Sequence, residues 1–298
     1  MRLMRCLFTS SKVRRVYNQT RLACAVLRDR ALKRETIYLS YSGMLNAGDL
    51  LTPFLYRAIA GRQPPPNVGY RNSYRLKNVM AVGSILRFAD ENTIVWGSGL
   101  DNRDGKLGCQ GWGDDGREGD WVKAIRVLAV RGPLTASVLR QRGVDCPEVF
   151  GDPGLLMPMF YRPCIDLTSK LGLVRHFSHE SSIAFTSLIA DEGTKQIAVR
   201  QRPKTFVNEL LACRFIASSS LHGIILADAY RIPWVWVWPA GNRNREWFKY
   251  HDYFLSQGRD VESPCVVSPE QNVEQIVDQC SLSPEFVDRE QLLKACPF

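Results

Sequence analysis

Short apolar runs rich in β-branched and aromatic residues alternate with longer runs of helical spacing along most of the chain. The pattern predicts strands at 36–41, 79–83, 93–96, 125–130, 149–150, 171–176, 196–199, 215–217 and 234–238. It predicts helices at 50–60, 133–142, 182–191, 205–213, 224–231, 245–255, 269–278 and 284–295. Because strands and helices alternate in both halves, we expect two α/β domains with largely parallel sheets.

A boundary between the two halves is predicted where this alternation stops. Residues 158–169 contain two prolines and show no clear period, which indicates a link. The chain therefore divides into an extension, 1–34, an N-terminal α/β domain, 35–163, and a C-terminal α/β domain, 164–298. Parallel sheets bind ligands beyond the carboxyl ends of their strands, so the cleft between two such domains is the expected site.

The net charge of +9 is confined to the first 34 residues, which hold ten Lys or Arg and one Asp. Of the 39 basic and 30 acidic residues in the whole chain, 29 of each lie outside that segment and balance. A neutral globule with a basic extension argues against an extended nucleic-acid groove. No apolar run reaches the ~18 residues of a transmembrane helix, and the extension lacks a secretory-signal pattern. We therefore expect a cytoplasmic protein.

The basic extension also has apolar or small residues at helical spacing, with arginines between them. They are Val13, Val16, Tyr17, Thr20, Ala23, Cys24, Leu27 and Ala31. The favoured interpretation is a loosely ordered tail, or sequence upstream of the domain itself. A basic amphipathic helix peripheral to the inner face of an anionic membrane and a mitochondrial targeting segment are the alternatives.

Nine cysteines are scattered from Cys6 to Cys296, without a C-x-x-C pair or a zinc-like spacing with histidine. With no export signal, this pattern predicts reduced and mostly buried thiols rather than disulfides. We expect no structural metal and no cofactor.

Four polar or glycine-rich segments follow predicted strands and could carry chemistry. They are Asn46-Ala47-Gly48-Asp49, Gly97-Ser98-Gly99, Arg131-Gly132-Pro133 and Ser218–Gly223. Strand-to-helix loops present free backbone N–H groups and the positive end of the helix dipole to an anion. Each segment alone is weak, because glycine-containing turns are common in α/β folds.

The order of the motifs is more specific than any one of them. They are Asn46-x-Gly48-Asp49, Gly97-Ser98-Gly99, Arg131-Gly132-Pro133-Leu134-Thr135 with Leu139 and Gly143, Gly151-Asp152-Pro153-x-Leu155-Leu156, and Ser219-x-Leu221-His222-Gly223-Ile224-Ile225-Leu226-Ala227. Over residues 36–255 the chain resembles the polysaccharide pyruvyltransferase family, especially the branch that adds pyruvate ketals to bacterial exopolysaccharides.

The resemblance implies a glycosyltransferase-B-like fold, with two Rossmann-like domains facing a cleft. It implies phosphoenolpyruvate as the donor substrate and a sugar or lipid-linked oligosaccharide as the acceptor. The catalytic histidine of the family corresponds to His222, and its donor pocket contains Arg131. One position departs, because many members have Arg where this chain has Ser220. Either the pocket is looser there or another residue makes that donor contact, for which Arg243 and Arg245, in the loop after the next strand, are the candidates.

The residue types suit this chemistry. The carboxylate and phosphate of phosphoenolpyruvate call for arginine and helix N-termini. Ketal formation needs a proton donor and acceptor with a pKa near working pH, for which histidine is the natural candidate. The alternative for His222 is a helix-start histidine hydrogen-bonded inside the domain.

Three charged residues have competing interpretations. Asp49 is either a base or sugar ligand, or the N-cap of the following helix. Arg131 pairs with the donor anion, which we favour, or with Asp152. Asp152 itself is interpreted as a structural turn residue.

Further candidates complete the predicted substrate site. They are Asn46, Gly48, Gly97, Ser98, Gly99, Ser219, Ser220, Leu221, Gly223 and His176. His179 and His251 are interpreted as structural or exposed. Trp234, Trp236 and Trp238 alternate with valines and share one sheet face, where core packing is favoured over a sugar-stacking platform.

Two other functions stay open at the level of sequence. One is a nucleotide-sugar glycosyltransferase of the same fold. Such enzymes typically place a Glu in the second domain to hold the donor ribose, whereas the corresponding stretch here offers Ser218–His222 and Asp228, with no Glu from there until Glu246. The other is a sugar-binding relative without activity, which Ser220 makes conceivable and His222 with Arg131 argues against.

Overall fold

The computed structural model describes residues 11–69, 75–103, 106–107, 124–242, 247–260, 263–284 and 287–298. Side chains are described from residue 18 onward, except those of residues 102–107. Arg243 and Arg245, and most of the glycine-rich segment 101–120, lie outside the described residues.

Two parallel sheets form the framework. Strands are β1 Tyr38–Ser40, β2 Asn78–Met80, β3 Thr93–Trp96, β4 Asn102–Arg103, β5 Lys106–Leu107, β6 Arg126–Ala129, β7 Ser169–Arg175, β8 Thr194–Ala198, β9 Cys213–Ser218, β10 Trp234–Pro239 and β11 Cys265–Val267. The first sheet has the order β1-β2-β3-β6 and the second the order β11-β10-β9-β7-β8, with β4 and β5 forming a separate antiparallel pair. All pairings within the two larger sheets are parallel.

Helices connect and cover these strands. They are α1 Ser11–Ala31, α2 Leu51–Ala60, α3 Pro133–Gln141, α4 Met157–Phe160, α5 Thr186–Ala190, α6 Pro203–Leu211, α7 Leu221–Ala229, α8 Phe248–Ser256, α9 Val273–Val277 and α10 Arg289–Lys294. The α/β class and the parallel sheets are confirmed, and the predicted strand at 93–96 coincides with β3. The division into two Rossmann-like domains at residues 163–164 stays a prediction.

The largest apolar core joins the two sheets through α7. That helix is apolar around its circumference, so it is buried on nearly all sides. It packs against the short 3₁₀ helix Pro153–Leu156, which follows the first sheet. Because both sheets contribute to one core, the start of α7 is fixed relative to loops from either half.

The tryptophan stripe of β10 belongs to this core. Trp234, Trp236 and Trp238 are all buried, and Trp236 stacks on Tyr250 of α8 at a ring distance of 4.7 Å. Core packing is therefore confirmed over the sugar-stacking alternative.

The basic extension departs from its favoured interpretation. Residues 11–31 form α1, and its inner face packs Leu22, Ala25 and Val26 in a small apolar cluster with Tyr38 and Val68. The interpretation as a loosely ordered tail is therefore wrong for the described part of this segment. The local apolar spacing selected a different face, because Cys24 and Leu27 of that stripe are exposed.

No helix within the described ranges is long and apolar enough to cross a membrane. Seven cysteines in the described part of the chain are free thiols. The expectation that most are buried is wrong, since only Cys146 and Cys213 are fully buried while Cys24 and Cys164 are exposed.

Candidate functional site

Two strand-to-helix loops, one from each sheet, meet at the carboxyl ends of their strands. The loop after β1 carries Asn46, Gly48 and Asp49, and the loop after β9 leads into α7 and His222. The two halves also share a backbone hydrogen bond from the Ala47 N–H to the Val199 carbonyl, 2.8 Å long. The two loops, which carry Gly48 and His222 at positions 174 residues apart in the sequence, thus form one site.

Gly48 and His222 are in direct contact. A Cβ atom placed on Gly48 would lie 2.0 Å from Nδ1 of His222 and 2.3 Å from its Cγ. No side chain larger than hydrogen fits there unless the imidazole moves. The Gly48 N–H is in turn fixed by the side-chain oxygen of Asn46, at 2.9 Å. The Asn46-x-Gly48 motif therefore shapes the surface against which the ring is held.

His222 is the second residue of α7 and is partly buried. Its Nε2 is buried and, among the described residues, finds no hydrogen-bond partner. Burial first, and then the positive charges of Arg131 and Lys249, lowers the pKa of His222 to about 3. The imidazole is thus neutral at pH 7. The interpretation of a histidine hydrogen-bonded inside the domain is not what the structure shows, and a buried polar atom of this kind calls for an explanation.

Lys249, in the first turn of α8, is a site residue that sequence reasoning missed. Lys249 is half-buried, and its positive charge lowers the pKa of both His222 and His179. Its only sequence signal is its place just after the loop that follows β10, a position shared with many surface lysines. A cation beside a neutral imidazole is suited to an anionic ligand.

Ser219 is the centre of a second cluster at the same strand ends. Its hydroxyl accepts the His176 N–H at 3.0 Å and lies 3.0 Å from Nδ1 of His179. Its carbonyl accepts the Tyr250 hydroxyl at 2.8 Å. The predicted site residues Ser219 and His176 are therefore brought together.

His179 is buried, as expected for a structural histidine. Its contact with the candidate site was not predicted from the sequence. It is packed edge-on against Trp238, with ring centres 4.5 Å apart, and touches Ser219 of the site. Burial and Lys249 lower its pKa to about 4, so it is neutral at pH 7. His251 is half-buried against Trp236 and Trp247.

Asp49 lies in the same loop and is partly buried. The N-cap of α2 is Leu50, without a side-chain cap, so the N-cap interpretation of Asp49 is wrong. Burial raises the pKa of Asp49 to about 6, although a hydrogen bond from Ser42 opposes the shift. A carboxyl group that titrates near neutrality is suited to proton transfer.

Arg131 is buried and fully engaged with protein groups. It forms an ion pair with Asp252 of α8 at 3.0 Å, donates to the Ser84 hydroxyl at 2.6 Å, and donates to the Leu100 carbonyl. The alternative that it pairs with Asp152 is wrong, because its carboxylate partner is Asp252. Asp152 is a structural residue as predicted, since its side chain accepts from the Gly154 N–H at 2.8 Å.

The remainder of the Arg131 motif serves the same carboxylate. Gly132 has no side chain to cap α3, and Asp252 takes that role by accepting from Thr135 N–H at 2.8 Å and Thr135 Oγ1 at 2.6 Å. A Cβ on Gly132 would lie 1.8 Å from the Asp252 carbonyl. The motif therefore locks α8 against the first sheet, and α8 carries Lys249.

The Gly97-Ser98-Gly99 segment is packed inside the protein. Gly97 has a φ of +87° and lies against Pro153, while a Cβ on Gly99 would lie 2.4 Å from the Arg131 guanidinium carbon. Ser98 is buried and donates to the Gly83 carbonyl at 2.8 Å. Close packing accounts for both glycines.

The residues around His222 shape the start of α7. The Ser218 hydroxyl accepts the Ser220 N–H at 3.1 Å and donates to its carbonyl at 2.7 Å, and a Cβ on Gly223 would lie 2.4 Å from that hydroxyl. Ser220 is the N-cap residue but makes no side-chain cap. Leu221 is buried in the core.

Within the described ranges, no cluster of three or more His, Cys, Asp or Glu side chains could hold a metal ion.

A comparison with protein families decides what this arrangement belongs to. The model of the family described as polysaccharide pyruvyl transferase matches residues 29–241. The chain belongs to the polysaccharide pyruvyl transferase family. The match contains Gly48, Arg131 and His222, and it ends before α8, which supplies Lys249 and Asp252.

Two curated relatives support this membership. The chain is 25% identical to uncharacterized protein L143 of Acanthamoeba polyphaga mimivirus, over 74% of each chain. It is 29% identical to the succinoglycan biosynthesis protein ExoV of Rhizobium meliloti (strain 1021), over 64% of this chain and 57% of that protein. No solved structure matches the chain significantly.

Proposed function

We propose that this chain transfers pyruvate from phosphoenolpyruvate to two hydroxyls of one sugar in an exopolysaccharide or cell-surface glycan precursor, forming a cyclic ketal. The observation that carries the proposal is His222, a neutral imidazole with a buried and unpartnered Nε2, held on Gly48 beside Lys249. The family supports polysaccharide pyruvylation, and the donor and the ketal are our inference.

The donor is assigned to the side of the site where the positive charges lie. Phosphoenolpyruvate carries a phosphate and a carboxylate, and the Lys249 ammonium group and the free N–H groups at the start of α7 are complementary to them. A donor contact from Arg131 would require its guanidinium to exchange a buried partner for the donor. We therefore assign Arg131 to positioning α8, and with it Lys249.

His222 is assigned to proton transfer at the donor. Burial is the larger cause of the low pKa of His222, and a bound anion would offset the smaller contributions of Arg131 and Lys249, so we infer that donor binding raises this pKa and favours the protonated imidazole. Protonation of the methylene carbon by His222 gives a methyl group and leaves the central carbon electron-deficient. The first sugar hydroxyl adds there and loses its proton.

The second stage completes the ketal. The bond from the central carbon to the phosphate oxygen breaks, and inorganic phosphate leaves. The second hydroxyl of the same sugar then adds to the central carbon and loses its proton. We assign Asp49 to accept a hydroxyl proton, because its carboxyl group lies in the loop that holds Gly48 and has a pKa of about 6.

The acceptor is assigned to the loops that carry His176, Ser219 and Asn46, which lie at the same strand ends as His222. The proposal includes a sugar or lipid-linked oligosaccharide as acceptor, a cytoplasmic location, and a glycosyltransferase-B-like arrangement with the site in the cleft. Ser220, at the N-cap of α7, is buried and has a shorter side chain than the arginine that many members of the family have there.

Titration calorimetry with phosphoenolpyruvate and, separately, UDP-glucose tests the donor. We expect heat with phosphoenolpyruvate alone, and weaker binding in Lys249→Gln. Binding of UDP-glucose instead would replace the proposal with a nucleotide-sugar glycosyltransferase.

Incubation of ¹³C-labelled phosphoenolpyruvate with galactosides and glucosides, followed by mass spectrometry, then tests transfer. Donor binding without phosphate release or a pyruvylated sugar across this panel would favour an inactive sugar-binding relative.

A further inference from the structure

Helix α1 presents two chemically different faces. Its inner face is apolar and packs on the strand β1, where Asp29 accepts the Tyr38 hydroxyl at 2.9 Å and is held by Arg28. Its outer face exposes two large apolar side chains, Leu27 at 67% and, just after the helix, Leu32 at 54%. The helix is thus fixed to the protein by one side and leaves exposed leucines on the other.

The same outer surface carries an excess of positive charge. Its exposed cations are Arg21, Arg28, Arg30, Lys33, Arg34 and Arg62. The acids nearby are Asp29, which is buried and bonded to Arg28 and Tyr38, and the exposed Glu35. The outward field of this surface is therefore positive.

A groove runs between α1 and the proline segment that follows α2. It has a volume of about 880 Å³, and its walls include Cys24 and Arg28 of α1, the Pro64–Pro66 segment, Tyr56 and Phe298. Cationic groups at the rim and apolar groups in the wall suit a ligand with an anionic head and an apolar tail. The groove lies beside the amino end of β1, whereas the candidate site lies beyond its carboxyl end.

We propose that the outer face of α1 and this groove dock onto an anionic lipid bilayer. Leucines flanked by arginines are the pattern of a surface that lies in the headgroup layer, with the side chains of Leu27 and Leu32 entering it and the arginines holding lipid phosphates. A nucleic acid would be complementary to the charge alone and would gain nothing from exposed leucines. The groove lies at the opposite end of β1 from His222, so this contact is spatially separate from the proposed transfer chemistry.

The direct test is sedimentation of the full chain with vesicles of phosphatidylcholine alone, and of phosphatidylcholine containing 30 mol% phosphatidylglycerol. We expect binding to the anionic vesicles only, with release at high salt. Replacing Arg30→Gln and Arg34→Gln together should weaken binding at least about tenfold. The matched control is Arg126→Gln with Arg214→Gln, which removes the same charge from exposed positions on other elements and should bind like the wild type.

The apolar part of the contact has its own test. Leu27→Ser with Leu32→Ser should weaken binding, whereas Leu167→Ser with Leu282→Ser, at other exposed positions, should not. Absence of binding to anionic vesicles, equal binding by all variants, or binding to duplex DNA in place of vesicles would overturn the proposal. So would loss of binding only in Met44→Ser, because Met44 lies in the loop of the candidate site and would place the membrane there.

Discussion

Arg131 and His222 were both predicted to contact the donor. They differ in whether their buried polar atoms have hydrogen-bond partners. The Arg131 guanidinium has a carboxylate, a hydroxyl and a carbonyl as partners. The His222 Nε2 has none in the described part of the protein. A buried group with its partners in place stabilises the fold, whereas a buried group without a partner is available to a ligand. Motif membership alone does not separate these two roles.

The largest expected effect is on turnover in His222→Asn. The amide retains polarity but cannot transfer the proton, so pyruvyl transfer should fall by about 10²–10⁴-fold. The free energy of unfolding should change little, because the ring makes no hydrogen bond through Nε2. His251→Asn, at a half-buried histidine of α8, is the control and should keep most of the activity. Wild-type turnover in His222→Asn would end the assignment of proton transfer to this residue.

Arg131→Ala should mainly lower the stability of the protein, whereas His222→Asn should mainly lower turnover. It leaves Asp252 as a buried charge without its partner, so the free energy of unfolding should drop by about 3–5 kcal/mol in a urea titration. Arg214→Ala, at an exposed position, should change it by less than about 0.5 kcal/mol. A stable Arg131→Ala protein with a raised KM for phosphoenolpyruvate would instead restore the donor contact that the sequence predicted.

Gly48→Ala tests the contact between the two halves. The added methyl group overlaps the imidazole, so the His222 ring must move, and a displacement of about 1 Å is enough to lower kcat about 100-fold. Gly43→Ala, in the same loop, is the matched control because the nearest atom to its new Cβ would be 3.9 Å away. Equal kcat values for the two variants would show that ring placement is not held by Gly48.

Lys249→Gln should weaken donor binding about tenfold, because one charge-assisted contact is lost. It should also raise the pKa of His222, since the Lys249 charge lowers it, and NMR titration of the imidazole measures this directly. The control is Lys204→Gln, which removes a cation of α6 that lies over the Tyr161 ring. It should leave both donor affinity and the His222 pKa unchanged. An unaltered His222 pKa in Lys249→Gln would contradict the placement of the charge.

The smallest expected effect is a pH dependence from Asp49. Its pKa of about 6 means that the carboxylate is lost as pH falls through 6, so kcat/KM should decline on the acid side of that value. In Asp49→Asn the pH profile of the remaining activity should lack this acid limb. An acid limb of the same midpoint in Asp49→Asn would assign the titration to another group.

Local patterns sufficed for the regular elements and for the location of the loops. The apolar run at Thr93–Trp96 is bounded by polar residues, and it forms β3 with those same bounds. The alternating tryptophans of β10 share a face because a strand has a period of two, and burial follows from their size. The predicted change from strand to helix after residue 217 also located His222 near the end of β9. These conclusions depend on near neighbours in the chain.

The functions of individual polar residues depended on distant partners. Arg131 meets Asp252, 121 residues away, and no spacing between them marks the pair in advance. The charge of Lys249 acts on His222 because α8 packs in the shared core and Asp252 joins it to the first sheet. The buried face of α1 was misjudged for the same reason, since several faces of that helix contain small or apolar residues and the surface of β1 selects one.

The sequence by itself determined the α/β class, the positions of most strands and helices, and the motif order by which the family is recognised. Short-range sterics and hydrophobic periodicity set these features, and both are visible in a window of a few residues. Only the tertiary structure decided which buried charges are paired, which glycine supports the imidazole, and which face of α1 remains outside. Those outcomes follow from packing and desolvation between elements that meet only when the two sheets share a core.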